Sequence, residues 1–150
     1  MRAVTISVVD HGDHAGGGKP LQLILARELA SNLATPMHLI DARGMLVFYN
    51  DAAAVLIGKS FGELGEIPAE EFGAVLQMKT TDGRPLRRRD TPSGIAFFER
   101  RPAHMTLAAT GFDGTERLVH ATAFPLFGTS DEMHGVVSVF WQVGAEQDSV

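Results

Sequence analysis

Ala103-His104-Met105-Thr106-Leu107-Ala108-Ala109-Thr110, then Gly111-Phe112-Asp113-Gly114, then Arg117-Leu118-Val119-His120-Ala121-Thr122-Ala123-Phe124-Pro125-Leu126 reads as two strands joined by a tight turn. The Asp-Gly pair is a strong hairpin signal, because such turns need a residue that accepts positive φ. A further run, Gly135–Gln142, follows the loop Phe127–His134 and extends the hairpin into an antiparallel meander. Strand side chains alternate between faces. Counting outward from Asp113-Gly114 puts Met105, Leu107, Ala109, Val119, Ala121 and Ala123 on one face, joined by Ser138 and Phe140. The other face takes His104, Thr106, Ala108, Leu118, His120, Thr122 and Phe124, joined by Val139 and Trp141.

Upstream, Met37-His38-Leu39-Ile40-Asp41 is a strand, Ala42-Arg43-Gly44 a turn, and Met45–Asn50 its partner. The turn is too short for a crossover helix, so this pair is also antiparallel. Asn50-Asp51 can cap a short helix that Gly58 stops. Further short helices are expected near Phe61–Leu64 and Ala69–Leu76. Asp90 or Thr91 should cap another, with Pro92 in its first turn, running from Ser93 to Arg100. At the other end Pro20 opens a helix in which Leu21, Leu25, Leu29 and Leu33 recur every four residues, beside Ile24. That stripe should be buried against a sheet or a partner. The order is helix, two strands, short helices, then three strands. It predicts an α+β domain over 20–143 with one five-stranded antiparallel sheet. Residues 1–19, with a short apolar run at Val4–Val9 and then a glycine-rich stretch, read as a flexible arm, and 144–150 as a tail.

Composition narrows the classes. The 150 residues are 45% hydrophobic and 21% charged, enough for a single core. A net charge of −5 argues against nucleic acid and anionic membrane as partners. No apolar run approaches a bilayer span and no signal-peptide layout opens the chain, so the cytoplasm is the default location. There is no cysteine, which removes disulfides, thiolate metal sites and cysteine nucleophiles.

The element order and its punctuation resemble the PAS domain over about Leu21 to Gln142. The matching stretches are Leu39–Gly44 running into Val47-Phe48-Tyr49-Asn50-Asp51-Ala52-Ala53, Leu56-Ile57-Gly58, and Asp82-Gly83-Arg84-Pro85-Leu86. Phe112-Asp113-Gly114, Ala123-Phe124-Pro125-Leu126 and Gly135–Phe140 follow in the same order. The chain departs from the family at Gln142-Val143-Gly144, where an Asp-Ile-Thr turn into a signalling helix often stands. The resemblance implies that the Met105, Leu107 face lies inside, under the short helices, with the N-terminal helix on the other face. Small residues at Ala109, Ala121, Ala123 and Ser138 would leave room for a ligand or let helices sit close.

Sites of other kinds find little support. Gly16-Gly17-Gly18-Lys19 lacks the earlier glycine and the following Ser or Thr of a phosphate loop, with Asp13 and Pro20 in their places. His11 and His14 beside Asp10 and Asp13 offer metal ligands, but nothing in a polar arm fixes their geometry. Arg87-Arg88-Arg89 could grip an anion, although a solvated loop is the commoner fate of such a run. Some PAS domains hold haem through a histidine on the helix before the meander. Here Ser93–Arg100 has none, while His104 and His120 fall on the outer face and the side of His38 is not settled. Without cysteine, a covalent flavin adduct is excluded. Few interior polar groups, Tyr49, Asn50, Thr110 and Ser138, could serve a polar ligand, so an apolar one is expected. No nucleophile elbow, zinc-protease motif or spaced carboxylate pair suggests an enzyme. Asp41 is explained by turn chemistry.

The expectation is a sensory module in signal transduction. A small apolar or amphipathic ligand would be lined by Phe48, Ile95, Phe98, Met105, Leu107, Ala121, Ala123, Ser138 and Phe140. The alternative is a pure interaction module, a homodimer through Leu21, Leu25, Leu29, Leu118, Phe124, Val139 and Trp141. A cavity of about 300 Å³ or more would favour the ligand. No kinase, cyclase or DNA-binding motif is present, so any signal should pass by contact with a further signalling protein.

Overall fold

The computed structural model describes residues 20–144. Along them run α1 (Leu21–Ser31), β1 (Met37–Asp41), β2 (Met45–Tyr49), α2 (Asp51–Ile57), α3 (Phe61–Leu64), β3 (Ile67–Pro68) and α4 (Ala69–Val75). A 3₁₀ turn at Arg88–Asp90 leads to α5 (Pro92–Glu99), β4 (Ala103–Thr110), β5 (Glu116–Phe127) and β6 (Met133–Gln142). The class is α+β, as expected. The arm, with its Val4–Val9 run, phosphate-loop-like glycines and His11 and His14, lies outside the described residues, as does the tail beyond Gly144.

The sheet has six strands in the order β3-β2-β1-β6-β5-β4, every pair antiparallel. The strand beyond the expected five is β3, only two residues long, in which Ile67 pairs with Leu46 and Pro68 with Met45. So short an edge segment ending in proline shows no alternation to read. The register at the Asp113-Gly114 turn follows the count outward from it. Leu107 stands opposite Val119, Met105 opposite Ala121, and Ala121 opposite Phe140. Gly114 takes the positive φ, +79°, that the turn requires.

Two apolar layers enclose the sheet. On the inner side Ile40, Leu46, Val136 and Phe140 meet Ala53 and Ile57 of α2, Phe72 of α4 and Ala96 of α5. On the outer side Met37, Leu39, Val47 and Val137 meet α1. β1 therefore lies between two covers, and all five of its residues are buried.

α1 covers the sheet with a different face from the one expected. Leu23 and Ala30 are buried, with Ala26 packed beside them. Leu25 and Leu29 are instead 57% and 58% exposed. A four-residue spacing turns about 40° around the helix at each step, so the leucine row winds away from any straight contact line. The 23, 26, 30 spacing alternates three and four and stays on one side. Its alanines let the helix lie close to the strands. Phe48 is also displaced from the inner face. Leu39 pairs with Phe48 and Ile40 with Leu46, which leaves Val47 as an extra residue in β2. This bulge turns both Val47 and Phe48 towards α1, where the Arg27 guanidinium lies 4.4 Å from the Phe48 ring centre.

The side chain of Asn50 joins these layers. Its Oδ1 accepts from the backbone N–H of Met37 at 3.1 Å and of Ala53 at 3.0 Å. Its Nδ2 donates to the carbonyls of Ala30 and Thr35, each at 2.9 Å. One buried amide thus caps α2, starts β1 and holds the end of α1. At the other end of α1, Gln22 Oε1 is 2.8 Å from His134 Nδ1 of β6. Asn50→Ala should lower unfolding stability by about 3 kcal/mol, since it strands several buried backbone groups at once. Asn50→Asp should cost a similar amount by removing both N–H donors. Urea unfolding of the two variants checks this, and a loss within 0.5 kcal/mol for both would contradict it.

A candidate ligand site on the inner face of the sheet

The site begins with the local chemistry before α5. Thr91 caps this helix, accepting from the Gly94 N–H at 3.1 Å, and its hydroxyl donates to the Arg88 carbonyl at 2.9 Å. Gly94 has no Cβ, and needs none: an added Cβ would sit 1.8 Å from the Arg88 carbonyl oxygen. The 3₁₀ turn is thereby locked onto the helix start, and Arg87 before it and Arg88 and Arg89 within it take different directions. Arg87 is exposed and pairs with Asp90 at 2.9 Å. Arg89 is exposed and lies over the Phe98 ring, 4.0 Å from its centre. Arg88 is half-buried, donates to Ser93 Oγ at 3.1 Å, and passes beside the rings of Phe97 and Phe98.

Between the sheet and the short helices lies an inner cavity of about 70 Å³. Leu107, Val119, Ala121, Ser138 and Phe140 form its sheet side, with Ile57, Phe72 and Leu76 facing them. A larger cleft of about 540 Å³ opens between α4 and the arginine turn, bordered by Ala69, Glu70, Leu86 and Arg88. The two share His38, Phe72, Met78, Thr91 and Ser93 as walls.

His38 stands at that junction. It is buried between the rings of Phe72 and Phe140, with centroids 5.7 and 5.6 Å away. Its Nδ1 has no hydrogen-bond partner. Burial first, and the nearby Arg88 charge second, push its pKa down to about 3, so the ring is neutral at ordinary pH. Ser138 stands directly opposite His38 in the β1–β6 register, and its Oγ is also buried without a partner. Arg88 Nη2 is the remaining buried side-chain nitrogen or oxygen among the described residues with no partner. Burial lowers the Arg88 pKa, and the Glu70 charge opposes this in part.

Of the residues expected at a ligand, Leu107, Ala121, Ser138 and Phe140 border the inner cavity and Phe98 the rim of the cleft. Ala123 is packed within the core, Ile95 and Met105 border neither space, and Phe48 is on the other side of the sheet. Tyr49 and Asn50 have their polar atoms engaged, the tyrosine hydroxyl donating to the Lys59 carbonyl at 2.6 Å. His38 and Arg88 were not among the expected residues. Because β1 is buried on both faces, no alternation revealed where His38 points.

Neither a family model nor a curated protein sequence matches the chain. Solved structures do. The LOV protein of Rhodobacter sphaeroides matches at 16% identity and TM-score 0.67, over 87% of this chain and 72% of that one. The PAS domain of the fruit-fly ELK potassium channel matches at 10% identity and TM-score 0.64, over 83% and 98%. The light-state dimer of the fungal blue-light photoreceptor Vivid matches at 12% identity and TM-score 0.59, over 87% and 99%. This chain has the PAS-domain fold. The inner cavity is well below the roughly 300 Å³ at which ligand sites begin, and α5 carries no histidine for haem.

The depressed His38 pKa has a consequence for the stability of the protein. Below about pH 6.5 the unfolded chain binds a proton at His38 that the folded chain refuses, so stability falls as pH drops from 6.5 towards 3 and is level above. Between pH 7 and pH 5 this residue should contribute about 2 kcal/mol of that loss. Comparing urea midpoints of the wild type and His38→Gln at both pH values checks this. Equal pH slopes would show that His38 titrates normally.

Proposed function

We propose that this PAS domain is a sensory module without catalytic chemistry, which takes a small, largely apolar ligand on the inner face of its sheet and signals by protein contact on the outer face. One observation carries the reading: the small apolar cavity adjoins an open cleft of about 540 Å³, with His38, Phe72, Met78, Thr91 and Ser93 bordering both. A ligand seated in the cleft would reach Leu107, Val119, Ala121 and Phe140 once the shared wall side chains shift, because the inner cavity alone holds only about 70 Å³. The expected apolar character fits this inner end, and the polar rim makes the fitting ligand amphipathic. Loading is tested by native mass spectrometry of gently purified protein, with an absorption spectrum of the same sample. A bound small organic molecule with no absorption beyond the aromatic region supports the reading. A Soret or retained flavin band would replace it with a chromophore sensor.

The outer face favours a second, compatible reading, contact between two copies of the chain. Leu118, Phe124 and Trp141 are 40%, 37% and 40% exposed. Phe124 stands opposite Val137, whose side chain is already under α1, so the apolar sheet surface runs on from the edge of that helix. The outward leucines of α1 have matching character, and a two-fold axis would set each helix row on the partner's sheet patch. Vivid, of the same fold, forms a light-state dimer. Burying the part of each that is still exposed would contribute about 0.5–1 kcal/mol before ordering costs, from about 1.5–3 kcal/mol for a fully exposed side chain. The wild type should sediment as a dimer at micromolar concentration, and Phe124→Ser with Trp141→Ser as a folded monomer. A wild type that stays monomeric at high micromolar concentration would remove this surface from the proposal.

A further inference from the structure

We infer that the ligand of this site is a small monocarboxylate with an apolar body, its carboxylate held by Arg88 with His38 and Ser138. The inference rests on the ligand reading above and names the chemistry of the ligand's head. The three buried side-chain atoms without partners belong to Arg88, which borders the cleft, Ser138, which borders the inner cavity, and His38, which borders both: Arg88 Nη2, Ser138 Oγ and His38 Nδ1. Elsewhere in the described protein, buried side-chain nitrogens and oxygens are satisfied, as folding requires. An exception concentrated at one place points to a missing partner there.

The shared need of these groups defines that partner. A guanidinium can only donate, a serine hydroxyl can donate, and a neutral imidazole donates from Nδ1 in one tautomer. A carboxylate offers two oxygens and accepts only, and it matches the planar fork of arginine. The charge balance sets its valence. Arg87 is neutralised by Asp90, and Arg89 lies outside on Phe98. Arg88 has no ion pair among the described residues, and Glu70 acts on it only at longer range. One partly desolvated cation suits one negative charge, whereas a phosphate dianion would leave a charge uncompensated. From a head held there, the body extends towards Ile57, Leu107, Val119 and Phe140.

The test uses the full chain and paired probes that differ only in charge: hexanoate with hexanamide, and phenylacetate with phenylacetamide, titrated at neutral pH by calorimetry and by NMR of the histidine rings. Each acid should bind roughly tenfold or more tightly than its amide, as expected for hydrogen bonds to a charged group. It should also shift the His38 ring signals. Arg88→Met should remove the preference and raise the melting temperature of ligand-free protein, because an unpaired guanidinium gives way to an apolar chain. A purely structural arginine would lower that temperature on removal. Ser138→Ala is too small a change to threaten the fold, and should weaken the acids several-fold while leaving the amides unchanged. Acid and amide binding equally would overturn the carboxylate inference and leave the ligand reading standing. An acid preference that survives Arg88→Met would overturn the assignment to that residue. No binding by either series would overturn the ligand reading and this inference together.

Discussion

The amide of Asn50 is the constraint on which the arrangement rests. Its two acceptor bonds and two short donor bonds reach Met37, Ala53, Ala30 and Thr35, which belong to one strand, two helices and a connector. A side chain with both ends satisfied in this way fixes position as well as energy, because a carboxamide presents two acceptor and two donor sites in one plane, and asparagine holds it on a short stem. It sets where α1 ends and where α2 begins. With Gln22 and His134 holding the first turn of α1, the helix is fixed at both ends over β1, β2 and β6. Its cover reaches β5 only at Leu126, and the outer surface around Leu118 and Phe124 is left open.

That partial cover explains the asymmetry of the sheet. β1 is closed on both sides and serves as the rigid centre. Towards β4 and β5 the inner face carries small residues, Ala109, Ala121 and Ala123, and the helices above it are short and joined by long connections. Space persists on this side because alanine and serine leave part of the inter-layer gap unfilled, and close packing elsewhere prevents the sheet from collapsing into it. Two lone hydrogen-bonding groups, on His38 and Ser138, face each other across β1 and β6 at the edge of this space. His38 borders the cleft as well as the inner cavity, and Ser138 the inner cavity alone. An empty site therefore carries a desolvation cost that a suitable occupant relieves.

The parts of this design legible in sequence were those with a local rule. Asp113-Gly114 fixed the hairpin register and hence both faces of β4, β5 and β6. Thr91 with Pro92 marked the start of α5, and Asp41 was rightly read as a turn residue, since its Oδ1 accepts from the Arg43 and Met45 N–H groups. The misreadings came where a non-local partner decided. Phe48 changed side because of a bulge that answers to the pairing of β1 with β2. The leucine row of α1 drew attention from the alanine seam that packs, since large side chains dominate a pattern while close approach needs small ones. His38 gave no periodic signal within a fully buried strand. Arg88 looked like its neighbours in a basic run, and only the contact of Gly94 with its carbonyl gives it a separate direction.

The two faces are nearest to each other in β6. Along this strand Val137 and Val139 contribute to the layer beneath α1, while Ser138 and Phe140 between them border the inner cavity. Trp141 then continues the outer surface opposite His120. Neighbouring residues on a pleated strand share one backbone, so a backbone shift at Ser138 towards the proposed carboxylate would also move Val137 and Val139. Those valines carry α1, whose outward leucines belong to the proposed contact surface. The proposed ligand would not need to reshape the domain to be felt outside it. It would have only to bias the position of one strand between two packed layers, and such layers respond by shifting as units, because their interiors are too dense to deform gradually. The route from site to surface is therefore as short as a sheet allows, one residue along β6.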